Sequence, residues 1–263
     1  MNRAGRIDAA FMTKWRGGQQ RLVAAGKWAD NGEMTAVAAS IPLGGLPLPF
    51  RIGMAAAFVA GLSYLLLKPL LGAPEYLALH VALKGCGVGL LALAATALPG
   101  ARWLAAIMAL GALADMALAV PGQFLAGATL FAAGHGMAIL FYAQHRRPLR
   151  EMDRGVVGTL LILGVLAPLL LPTLPVPALY AAIYGLLLGG MAASLWASRF
   201  PRLAAVGALL FVASDSVLAL RLAGVTLMAP PIDDGLVWAL YFSGQWLITL
   251  GVGRGLLARA THA

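Results

Sequence analysis

Eight runs of predominantly apolar residues, each ended by Pro, Gly or Arg, recur along this 263-residue chain. A helix needs about 20 such residues to cross a hydrocarbon core of roughly 30 Å, so the runs are read as membrane spans. They are placed at 52–67, 76–98, 103–120, 124–142, 156–171, 178–197, 203–222 and 236–257. With 61% hydrophobic and 11% charged residues, a soluble domain of this size is excluded. The expected fold is an all-α polytopic transmembrane bundle of about eight helices, spanning residues 51–259. Residues 1–50 are expected to be a basic, poorly ordered cytoplasmic tail without the layout of a secretory signal, and an over-extended reading frame would read the same way.

The formal net charge of +9 would suggest nucleic acid in a soluble chain, but here the arginines sit in short loops between spans. Nucleic acid is therefore not an expected partner. Arg102, the loop with Arg146, Arg147, Arg150 and Arg154, the Arg199 and Arg202 turn, and Arg254 and Arg259 fall on one side together with the tail. Lys68 and Arg221 fall on the other, with Glu75, Asp233 and Asp234. The positive-inside rule then puts both termini in the cytoplasm. Dense short basic loops point to a bacterial inner membrane. The single cysteine, Cys86, excludes an internal disulfide framework.

Inside the spans remain Lys84, Asp115, His135 and Asp215, with His80 nearer a helix end. Charges there are costly and normally mark a pathway or a site. Asp115 and Asp215 each lie 13 residues after an arginine at the start of an outward helix, which sets both at roughly 20 Å from that anchor. Lys84, Tyr184, Tyr241 and Gln245 reach a similar level on inward helices. The strings ALADMALA and VASDSVLA around the aspartates are 100 residues apart, as are Lys84 and Tyr184. This spacing suggests two parallel four-helix repeats related by an axis along the membrane normal.

Each residue also has a plainer reading. Asp115 and Lys84 could be a neutralised pair that fixes helix register, Asp215 could be bonded internally to Ser214 and Ser216, and His135 could be a satisfied interior histidine. The Gly85/Gly89, Gly185/Gly189 and Gly251/Gly255 pairs are expected to pack helices within one bundle, with a homodimer left open. No ligand-spaced pair points to a metal, and no motif points to a cofactor.

Taken together, Lys84, Asp115 with Leu118, FLAGATLFAAGH ending at His135, YGLLLGGM from Tyr184, GALLFVASDSVLAL around Asp215 and YFSGQWLITLG with Tyr241 and Gln245 resemble the YhhN-like family of membrane lysoplasmalogenases. The chain departs from the family pattern at Gly85, usually Pro, and at Ala114, usually Gly. The resemblance implies hydrolysis of the alkenyl ether bond of a lysoplasmalogen to a fatty aldehyde and a glycerophospho-alcohol, with a membrane lipid as substrate. That chemistry needs an acid to protonate the outer alkene carbon and an anion to stabilise the oxocarbenium ion or act as base. Two carboxylates can divide these roles, because desolvation favours a neutral acid and a nearby cation favours the ion. Asp115, Asp215 and Lys84 are the expected catalytic groups, with His135, Tyr184, Ser214, Ser216, Tyr241 and Gln245 around them. The rival reading is a proton-coupled transporter using the same charges as a relay. A scaffold protein would be expected to expose a large loop or soluble domain, and the tail alone is a weak candidate.

Overall fold

A computed structural model describes residues 42–171, 173–225 and 227–262; most of the expected tail lies outside this range. Eight helices follow in chain order: α1 (Leu48–Leu67), α2 (Leu77–Thr96), α3 (Arg102–Ala119), α4 (Phe124–Ala143), α5 (Glu151–Leu169), α6 (Ala178–Trp196), α7 (Arg202–Leu222) and α8 (Pro230–His262). All eight are long and apolar enough to cross a membrane, as a multi-pass integral membrane protein requires. No strand is present among the described residues, only an isolated bridge between Arg146 and Ser198.

Helix ends follow from local chemistry. Pro47 and Pro49 flank the start of α1, where a missing backbone N–H is harmless, so the helix begins four residues before its first uninterrupted apolar run. Leu46 and Phe50 are buried there. Asp153, in the first turn of α5, accepts a hydrogen bond from the Arg150 backbone N–H, which brings the charged residues from Glu151 into the helix. At the end of α7, Gly224 adopts φ +80°. The Val225 N–H then reaches Leu220 O and the Gly224 N–H reaches Arg221 O, a left-handed closing turn that fixes the last turn of the helix. With 33 residues α8 is about 50 Å long, more than a bilayer core.

The packing order repeats. α1 packs on α2, α2 on α3 and α3 on α4; α5 on α6, α6 on α7 and α7 on α8 follow the same order. Across the halves α4 meets α6, as α8 meets α2. The order is that expected of two four-helix repeats, apart from an additional contact between α1 and α8. The glycine pairs all pack within the chain. A Cβ on Gly85 would strike Met116 and Ala112 of α3, one on Gly185 or Gly189 would strike the α5 backbone at Gly164 or Leu160, and one on Gly251 would meet Ala204.

The arginine-rich end is tied by Asp153, which accepts hydrogen bonds from Arg147 (2.8 Å), Arg202 (2.9 Å) and the Trp196 indole (2.9 Å). This cluster joins the α4–α5 and α6–α7 connections. The opposite end carries Lys68, Arg221 and Asp234.

Candidate active site

In the half of the bundle nearer that opposite end, two aspartates each receive a hydrogen bond from a tyrosine. Tyr241 on α8 donates to Asp115 Oδ2 on α3 at 2.7 Å, and Gln245, one turn further along α8, donates to the Tyr241 hydroxyl at 3.5 Å. Gly111 makes room for this group: a Cβ there would lie 3.3 Å from Gln245 Nε2. Tyr184 on α6 donates to Asp215 Oδ2 on α7, also at 2.7 Å. Phe131 and Phe211 stand between the two pairs. Phe211 lies edge-on to Tyr241 at 5.0 Å and to the His135 ring at 5.2 Å, and His135 in turn meets the Tyr184 ring at 5.7 Å.

The pairs differ in access and in charge. Asp115 is 2% exposed and lies within Coulombic reach of Lys84 on α2, although no ion pair within 4.0 Å joins them among the described residues. Asp215 is only partly buried, and its carboxyl opens on a cavity of about 450 Å³ between α4, α5, α6 and α7. Leu118, Phe131, Leu160, Ala181, Val212 and Ala219 contribute to its apolar wall, and Tyr184 and Ser216 join Asp215 as polar groups in it. The volume lies within the usual range for small-molecule sites. The two aspartates are within Coulombic reach of one another.

The cavity exists because α6 meets α7 over a short stretch while α5 and α6 are locked together. Gly164 and Gly185 bring the α5 and α6 backbones into direct contact, and Pro168 inside α5 lines the space. A second, much smaller space of about 20 Å³ is bounded by His135, Gln245, Phe131 and Phe211, among others. His135 Nε2 is buried and has no hydrogen-bond partner among the described residues.

Three expectations are corrected. Ser214 does not bond Asp215; its hydroxyl donates to Val237 O at 2.9 Å and ties α7 to α8. Ser216 donates to Val212 O of its own helix at 2.8 Å and reaches the site only as part of the cavity wall. Adjacent residues on a helix point in different directions, so neither serine can share the face of Asp215. Lys84 makes no contact ion pair with Asp115 among the described residues. Tyr184, Tyr241, Gln245 and His135 do gather around the aspartates.

Two neighbours escaped the sequence reading. Tyr64 on α1 hydrogen-bonds His80 Nε2 at 2.9 Å and packs its ring 4.3 Å from Trp238, which lies 5.6 Å from Tyr241. A phenol inside an otherwise apolar span needs a partner, and that was the available signal for Tyr64. Among the described residues, no group of three or more His, Cys, Asp or Glu comes together to hold a metal ion.

No curated protein and no solved structure matches the chain. A model of the YhhN family matches residues 79–252, a stretch that contains Lys84, both aspartates, His135, both tyrosines and Gln245. On that match the chain belongs to the YhhN family.

Proposed function

We propose that the protein is an intramembrane hydrolase that cleaves the alkenyl ether bond of a lysoplasmalogen, with Asp215 as proton donor and Asp115 as the anionic partner. The observation that carries this reading is a pair of tyrosine-bonded aspartates inside the span, one of which opens on an apolar cavity while the other is closed off beside a lysine. Membership of the YhhN family supports a hydrolase of this kind.

The alkenyl chain occupies the cavity, which brings its double bond to Asp215. Tyr184 holds Oδ2, leaving Oδ1 to carry the proton. That proton passes to the outer alkene carbon, and the electron deficiency moves to the carbon bonded to oxygen, giving an oxocarbenium ion. Asp115, near Lys84, oriented by Tyr241 and outside the cavity wall, stabilises the cation through space, and Asp215, now ionised, takes a proton from the attacking water. The hemiacetal then collapses. Asp215 delivers its proton to the departing glyceryl oxygen and takes up the hydroxyl proton, and aldehyde and alcohol leave with both aspartates as they began. His135 Nε2 and Gln245 border a space with room for one water, a suitable store for the nucleophile.

The test is aldehyde release from a lysoplasmalogen by detergent-purified protein, run beside Asp115→Asn and Asp215→Asn variants that elute as the wild type does. Release by the wild type and its loss in both variants is the expected result. Folded wild type that releases no aldehyde from choline or ethanolamine lysoplasmalogens would sink the assignment.

A further inference from the structure

Hydrolysis needs water at a carbon that lies in an apolar cavity, and that cavity has little to hold water with. Its polar lining residues are Asp215, Tyr184, Tyr180 and Ser216. Tyr184 is committed to Asp215, Tyr180 shares a hydrogen bond with Thr129 at 3.2 Å, and Ser216 bonds its own helix. A buried water is held by about two to four polar partners.

The smaller space supplies them. Its polar lining residues are His135, Gln245 and Tyr142, all buried. His135 Nε2 has no hydrogen-bond partner among the described residues, a costly state for a buried ring nitrogen that a small hydroxylic molecule would relieve. One water needs roughly 10–15 Å³, and the space measures about 20 Å³.

The two spaces are neighbours. Phe131 is the one described residue that lines both. Its ring lies edge-on to Phe211 at 5.7 Å and to Tyr241 at 5.6 Å, and parallel to His135 at 6.2 Å. His135 in turn meets Tyr184, the residue that holds Asp215. A molecule moving from the smaller space to the Asp215 carboxyl therefore passes the Phe131 ring.

We propose that the space lined by His135, Gln245 and Tyr142 selects the nucleophile by size, admitting water, and that Phe131 separates it from the chain cavity and so decides what captures the oxocarbenium ion. The role in capture rests on the ether-hydrolase reading; the binding of water rests on the unpartnered ring nitrogen and the volume beside it. Chemistry alone does not make the choice, because any hydroxyl can add to the cationic carbon. Water gives the hemiacetal, which collapses. Methanol would form the same carbon–oxygen bond, pass its hydroxyl proton to the ionised Asp215, and leave a mixed methyl acetal that has no hydroxyl proton to lose and does not collapse.

The test is the product ratio in water containing methanol, at a content that leaves the melting midpoint unchanged. Wild type should release aldehyde, with a share of methyl acetal about tenfold or more below methanol's share of the solvent, the discrimination that one extra carbon brings in a fitted pocket. Phe131→Ala, which removes the shared wall, and Met191→Ala, which enlarges the smaller space from α6, should each raise the acetal share toward that of the solvent. If one variant fails to fold, the other carries the comparison. A wild-type acetal share equal to methanol's share of the solvent overturns the site, because the nucleophile then arrives unselected. So do folded variants that keep the wild-type ratio. A second readout needs no reaction. In protein labelled with 15N-histidine and held in lipid, magnetisation should pass from water to the His135 ring, assigned among the four histidines as the signal lost in His135→Gln. No transfer to that ring overturns the water site. A wild type that releases neither product loses the hydrolase reading and the role in capture with it, while the spectrum decides the water site separately.

Discussion

The two halves of the bundle carry the same parts in opposite states. Lys84 and Asp115 on α2 and α3 recur 100 residues later as Tyr184 and Asp215 on α6 and α7. In the first half Gly85 lets α2 close against Met116 and Ala112, and Asp115 is shut in. In the second half α6 and α7 diverge and Asp215 faces an apolar cavity. The cation also changes: Lys84 lies within Coulombic reach of Asp115, whereas Asp215 has a tyrosine hydroxyl in the corresponding place. A similar helix order thus yields one carboxyl closed off near a lysine and one beside an apolar cavity.

That contrast is open to direct attack. The largest effect is expected at the aspartates: Asp215→Asn should lower kcat for aldehyde release by about 10²–10⁴-fold, the range for a missing general acid, and more than Asp115→Asn does. A larger loss in Asp115→Asn would exchange the two roles. Next, Ala219→Trp should fill the open cavity and cut kcat/KM for long-chain substrate by about tenfold or more, while the melting midpoint stays close to wild type. Retention of full activity would mean that the chain lies elsewhere. Tyr184→Phe and Tyr241→Phe remove single hydrogen bonds to carboxylates, worth about 1.5–3 kcal/mol each, or roughly ten- to hundredfold in kcat/KM. Tyr184→Phe should act mainly on kcat, because its partner is the donor. The smallest effect concerns closure: Gly85→Ala should destabilise the folded protein by about 1–3 kcal/mol through its collision with Met116. Gly89→Ala, whose Cβ would meet Ala112 at an ordinary 3.8 Å, should be near neutral in thermal melting.

Much of this was legible in the chain. Each span was found because a bilayer imposes a minimum apolar length, and the errors fall at ends where that rule is silent. Pro47 and Pro49 fall within the expected tail but stand at the start of α1, and Glu151 and Asp153 fall within the expected loop but form the first turn of α5. The matching position of both aspartates along their helices, 13 residues after Arg102 and Arg202, was also legible, since rise per residue converts sequence distance into height. Partners were not. Ser214 and Ser216 are adjacent to Asp215 in sequence and turn away from it, while Tyr184, 31 residues distant, holds it.

The sequence by itself determined the number of helices, their alternating direction and the position of the ionisable residues along them, because the membrane ties composition to length. Only the tertiary structure decided which hydroxyl meets which carboxylate, that α2–α3 closes while α6–α7 opens, and that Lys68 and Arg221 share one carboxylate, Asp234. Those outcomes depend on which helix faces meet, and in lipid that is set by the close fit of glycine-lined backbones, which a run of similar apolar letters does not encode one position at a time.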